Sequence, residues 1–175
     1  MRTFLLAGLA AGTLMVGSAR GQTPMLPELP ELPAALKPSG MSPYLQVSAT
    51  GVQIYTCGKN DAGARAWIFK APEAALFDAE KKPIGKHYAG PTWEGMQGGK
   101  IVGAAKASVP APEAGAIAWL LLDVKSREGS SVFTQAKGIL RISTRGGVAP
   151  PQGCDEGHAG QEARVPYTAT YVFLK

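Results

Sequence analysis

From Arg164 to Phe173 the chain alternates. Val165, Tyr167, Ala169, Tyr171 and Phe173 fall on one side, and Arg164, Thr168 and Thr170 on the other. A two-residue period is what a half-buried strand imposes; a helix would bring its apolar positions back every three to four residues. The period recurs along the chain, and it restricts the fold more than any other feature. Leu45, Val47 and Ala49 share a face, as do Val52, Ile54 and Thr56 beyond Gly51. Gly51 is read as a bulge or turn between two strand pieces. Trp67 and Phe69 oppose Ile68, and Ile101, Gly103, Ala105 and Ala107 oppose Val102, Ala104 and Lys106. That last strand is built of small residues, so another backbone or bulky side chains approach it closely. Ala116 to Lys125 is a continuous apolar run that suits a central strand, and Val132 to Thr144 reads as a further strand interrupted at Gly138. Pro72 to Asp78 is expected to form one helical turn opened by its proline.

Turn residues separate these runs. The chain has 22 glycines and 14 prolines in 175 residues, about one in five. The expectation is an all-β fold, a sandwich or barrel of about eight or nine mostly antiparallel strands with few short helical turns. At 175 residues and 45% hydrophobic content, one domain with a substantial core is expected, spanning 44–175.

Two segments precede it. Residues 1–21 read as a secretory signal: Arg2 is the basic start, Phe4 to Val16 the apolar stretch, and cleavage after Ala19 or Gly21 follows small residues. The apolar stretch is too short to span a bilayer comfortably, and no later segment is long and uninterrupted enough to do so. A secreted or periplasmic location is expected, with no integral membrane segment after signal cleavage. Residues 22–43 form a Pro-rich lead whose LPELPELP run has the three-residue period of polyproline II. It reads as an arm lying against the domain or a tether, with a peptide-docking ligand as the alternative.

Cys57 and Cys154 are the only cysteines. In an exported chain an even count reads as a disulfide, here between the early and late parts of the domain. Zinc binding with His87 and His158, or a reactive thiol, would need spacings or signatures that are absent, so no metal and no cofactor are expected. The net charge of +5 is too small and scattered to imply nucleic-acid binding. There is no GxGxxG, so this is not an NAD-dependent dehydrogenase. The Gly99-Lys100 pair lacks the rest of a phosphate loop, because Glu94 stands where a glycine is required and Ile101 where a hydroxyl is. Nucleophile-elbow, HExxH and EF-hand motifs are missing as well.

What remains is the cluster His87, Tyr88, Trp93 and Glu94 around Gly90-Pro91. A tight turn there would bring both flanks together, pair His87 with Glu94, and offer Tyr88 and Trp93 as flat stacking surfaces. The plainer alternative makes Trp93 a core residue and His87 a hydrogen-bonded strand-end residue. His158 falls in a solvated acidic loop, Trp67 and Trp119 in the core, and Tyr167 and Tyr171 in the core with hydroxyls at its rim.

The stretches GVQIYTC (51–57), AWIFKAPEA (66–74) with LFD (76–78), and GKHYAGPTW (85–93) occur in order. AWLLL (118–122), GGVAP (146–150), GCD (153–155) and VPYTATY (165–171) follow. Together they resemble a family of secreted proteins known as a domain of unknown function, DUF3455, over about residues 38–175. The resemblance implies an exported single domain with its two cysteines at the family's positions; it brings no activity and no catalytic residues. Three readings of function stand. The favoured one is a non-catalytic module binding a carbohydrate, a small apolar molecule or an envelope component through the His87 cluster. The second is a small hydrolase or lyase using His87 with Glu94 or Asp123, and the third a structural envelope protein. Oligomeric state is left open.

Overall fold

The computed structural model describes residues 26–175. The expected signal at 1–21 lies outside the described residues, as does the start of the lead. Eight strands run in chain order: β1 Pro43–Lys59, β2 Arg65–Phe77, β3 Pro83–Tyr88, β4 Thr92–Gly95, β5 Lys100–Val109, β6 Trp119–Glu128, β7 Gly138–Gly146 and β8 Glu162–Leu174. Each pairs antiparallel with the next, and β8 returns to β1, so the sheet closes on itself. The fold is therefore a barrel. Closure leaves no free sheet edge, the usual liability of all-β proteins. The helical content among the described residues is two 3-10 turns, Ala34–Leu36 and Glu156–His158.

The two-residue period sends alternate side chains inward. Val47, Ala49, Ala74, Leu76, Trp93, Ile101, Leu122, Ile139, Tyr171 and Phe173 fill the interior with others of the same set. One end of the barrel is plugged. Residues 131–136 fold into a turn that drives Phe133, fully buried, against Phe173 with ring centroids 4.9 Å apart. At Gly85 a Cβ would lie 2.7 Å from the Phe133 ring and 2.4 Å from the Glu94 carbonyl oxygen, so the plug needs glycine there.

A second apolar cluster lies outside the barrel. Trp119, Leu121, Leu140, Ile142, Val172 and Leu174 face outward and are covered by the lead, with Leu36 fully buried and Leu29 and Leu32 packed beside it. The lead is thus an arm on the barrel wall. A three-residue turn places one side chain per turn on the same side, so the leucines of LPELPELP face the wall and the glutamates face water.

Four expectations are corrected. Residues 72–77 form strand, because Ala74 and Leu76 point inward at alternate positions and β2 pairs on both sides; Pro72 is tolerated beside a bulge, where Ile54 pairs with Ala71 and Tyr55 with Phe69. The strand expected from Val132 begins at Gly138. Hydrogen bonds from Thr134 Oγ1 to the Ser131 carbonyl (2.9 Å) and from the Phe133 amide to Ser131 Oγ (3.3 Å) close a turn before it. Gly51 is no break, since β1 runs through it; a Cβ there would lie 2.1 Å from the Glu73 carbonyl oxygen. Trp67 is not core. It is half-buried against the 147–161 loop, donating from Nε1 to the Gln152 carbonyl at 2.9 Å.

Candidate functional site

The other end of the barrel is hollow. A cavity of about 730 Å³ opens between strands β1 and β2 and the β3–β4, β5–β6 and β7–β8 connections. Its floor is aromatic: His87 stacks on Trp93 at 4.4 Å and 20°, and Tyr171 stands against both rings at 5.0 and 5.4 Å. Ala105, Leu120 and Leu122 supply an apolar wall from β5 and β6. Small residues on β5 leave the room, as their run suggested; a Cβ at Gly103 would meet the Trp93 ring at 3.0 Å. A bulge after Ala105 turns the strand over, so that Ala105 faces the cavity and Ala107 the outer cluster. At the mouth, Phe69 is 52% exposed and Val148 46%. Tyr55 meets the Phe69 ring edge-on at 5.7 Å and donates its hydroxyl to the Gly147 carbonyl at 2.6 Å.

The β7–β8 loop forms part of this mouth, and the disulfide holds it. Cys57 and Cys154 are bonded, with Cα atoms 5.3 Å apart. That removes both thiols from any metal-binding or nucleophilic role. Arg65 pairs with Glu156 across the same junction.

The predicted cluster is divided by the barrel wall. His87 pairs in register with Trp93, and Lys86 with Glu94. His87 and Trp93 therefore face inward, and Tyr88 and Glu94 outward. The expected His87–Glu94 pair does not form. Instead Tyr88 donates to Glu94 Oε2 at 2.6 Å, with Lys86 3.4 Å from the other oxygen. The Tyr88 bond holds the Glu94 carboxyl below its usual range and raises the Tyr88 phenol. His87 is 2% exposed, and its Nδ1 lies 2.8 Å from the Thr92 carbonyl oxygen. A carbonyl only accepts, so Nδ1 carries the proton and Nε2 is bare. Burial lowers the imidazole to about 3, and the nearby Arg141 cation opposes protonation further. The ring is neutral at any ordinary pH. Asp123, the other proposed carboxylate, pairs with Lys106 at 3.4 Å and Lys125 at 3.8 Å. His158 lies on the exposed loop, 2.7 Å from Asp155.

Sequence reasoning missed Arg141. It lies two positions from the inward Ile139 on β7, faces Tyr171 on β8 and Leu120 on β6, and lines the cavity. Nε and one terminal nitrogen donate to the Ala118 carbonyl at 3.1 and 2.9 Å. A basic residue in the run Ile139-Leu140-Arg141-Ile142 was the available signal, because alternation places it on the same face as Ile139. Gln53 was missed as well. It is 2% exposed and lines the cavity from β1.

No helix among the described residues is long and apolar enough to cross a membrane. No curated protein and no solved structure matches the chain. The family model described as protein of unknown function (DUF3455) matches residues 38–175, from the end of the arm through all eight strands. The chain belongs to the DUF3455 family.

Proposed function

We propose that this protein is an extracytoplasmic binding protein that takes one small, largely apolar molecule into the open end of its barrel. The observation that carries the reading is the cavity itself, about 730 Å³ with an aromatic floor and an aliphatic wall. That volume lies within the range of small-molecule sites, and eight-stranded barrels are wide enough for one such ligand. The lining has few polar groups, which suits a small apolar molecule better than a carbohydrate. Of the expected cluster, His87 and Trp93 belong to this site, whereas Tyr88 and Glu94 lie on the opposite face of the wall. A catalytic role for His87 has lost its carboxylate partner, and a group that stays neutral to about pH 3 is a poor proton acceptor at neutral pH. The disulfide supports an oxidising compartment outside the cytoplasm.

The test uses the neutral fluorophore N-phenyl-1-naphthylamine. The expected result is saturable binding at one site per chain, abolished by Ala105→Trp, which fills the cavity from its wall. Tyr88→Ala and Glu94→Ala should leave binding unchanged. Absence of saturable binding, or binding indifferent to Ala105→Trp, overturns the proposal.

A further inference from the structure

The cavity holds a cation with no counter-charge. Arg141 lines it, and among the described residues no carboxylate lies within ion-pair distance of its guanidinium. The other charged side chain of the lining, Lys70, is at the mouth and already pairs with Glu162 at 2.6 Å. The lining contains no aspartate or glutamate.

The polar atoms deeper inside have the same bias. Gln53 Nε2 and Trp93 Nε1 are buried without an acceptor. The Tyr55 hydroxyl is committed to Gly147 and His87 Nδ1 to Thr92, which leaves His87 Nε2 as a bare acceptor. Arg141 has five N–H donors and gives two hydrogen bonds to the Ala118 carbonyl. The lining of this apolar space therefore carries two cations, Arg141 and the already paired Lys70, and no anion. Arg141 is half-buried and faces the cavity, so an anion entering there meets a guanidinium that no carboxylate neutralises.

We infer that the ligand carries a single anionic head, a carboxylate or a group of similar shape, which docks on Arg141 while its apolar or aromatic body lies over Trp93, His87 and Tyr171. A planar guanidinium presents paired donors that match the two oxygens of a carboxylate. Arg141 lies between β6 and β8 at the edge of the aromatic floor, so one molecule can reach both features. This inference rests on the binding function proposed above and adds the chemical class of the ligand.

The experiment compares three probes with one ring system: 2-naphthoate, 2-naphthamide and 2-naphthylmethylammonium. Calorimetric titration of the wild-type chain should rank them in that order, with the carboxylate at least about ten-fold tighter than the amide. Arg141→Gln should erase the preference by weakening the carboxylate far more than the amide, and Arg141→Lys should retain part of it. Equal or tighter amide binding in the wild type overturns the anionic head and leaves the apolar site standing. A carboxylate preference that survives in Arg141→Gln also overturns it. Failure of all three probes while N-phenyl-1-naphthylamine still binds overturns the anionic head alone, and failure of that fluorophore as well removes both proposals. The wild-type ranking needs no variant to fold.

Discussion

Burial keeps His87 neutral, because its imidazole is enclosed by Trp93 and Tyr171 and a charge there would be stripped of water beside Arg141. The unfolded chain takes up this proton near pH 6.5, whereas the folded chain refuses it until about 3. Stability from this residue is complete above about 6.5 and is lost as the pH falls toward 3. The loss approaches 1.4 kcal/mol per pH unit, roughly the linkage limit for one group. His87→Asn keeps a donor for the Thr92 carbonyl but cannot titrate. Urea unfolding at pH 7, 5.5 and 4.5 should show the wild type more stable at pH 7 and the gap narrowing at each step down. Parallel pH dependences would show that the imidazole is not held neutral. Proximity of His87 and Trp93 was legible from the turn at Gly90-Pro91. Their shared face was not, because the register across a short turn decides which residues oppose each other, and a slip of one position exchanges the faces. With His87 opposite Trp93, Glu94 must point away. Arg141 was missed although alternation marks it, because the start of β7 at Gly138 was not placed.

At the scale of elements, the arm explains why so apolar a barrel wall tolerates water around it. Leu140, Ile142, Val172 and Leu174 stand at outward positions, and Leu36 seals them. The arm's three-residue period was readable from LPELPELP. The face that receives it was half-hidden, because the clean alternation of β8 gives way to the unbroken run Tyr171-Val172-Phe173-Leu174, buried on both faces. Alternation signals one wet face, and its loss signals that both are dry. The misread elements have the same kind of cause. Phe133 and Ala136 look like strand because a plug must be as apolar as a strand, while the serine and threonine bonds that turn the chain leave a weaker trace. If the arm is a structural part of the domain, Leu36→Ala should cost about 2–4 kcal/mol in urea unfolding, the usual range for a fully buried leucine. Glu28→Ala and Glu31→Ala, on its wet side, should change stability by less than about 0.5 kcal/mol. Equal small effects at all three positions would mean that the arm is only a tether.

Across the whole molecule, barrel closure depends on contacts between distant parts of the chain. β1 pairs with β2 on one side and with β8, the last strand, on the other. The disulfide spans 97 positions and joins the end of β1 to the loop that precedes β8, so it ties together the two strands whose pairing closes the ring. Cross-linking a loop of that length restricts the unfolded chain, with an ideal effect of about 4–5 kcal/mol and a usual loss of 2–5 when such a bond is removed. The same bond fixes the loop that brings Val148 and Ala149 to the cavity mouth. Stability and binding should therefore fall together but be separable. Cys57→Ser with Cys154→Ser should retain the far-ultraviolet β signature at 25 °C, because the eight-strand hydrogen-bond ring is intact without the bond. It should unfold roughly 10 °C lower in thermal scans, the shift that a few kcal/mol produces in a domain of this size. At 25 °C, still folded, it should hold N-phenyl-1-naphthylamine more weakly than the wild type, since Val148 and Ala149 then lose their covalent tether and the rim is steadied by the Tyr55–Gly147 and Trp67–Gln152 hydrogen bonds and the Arg65–Glu156 pair alone. Unchanged affinity in the folded double variant would confine the disulfide to stability and assign the mouth's shape to the barrel strands alone.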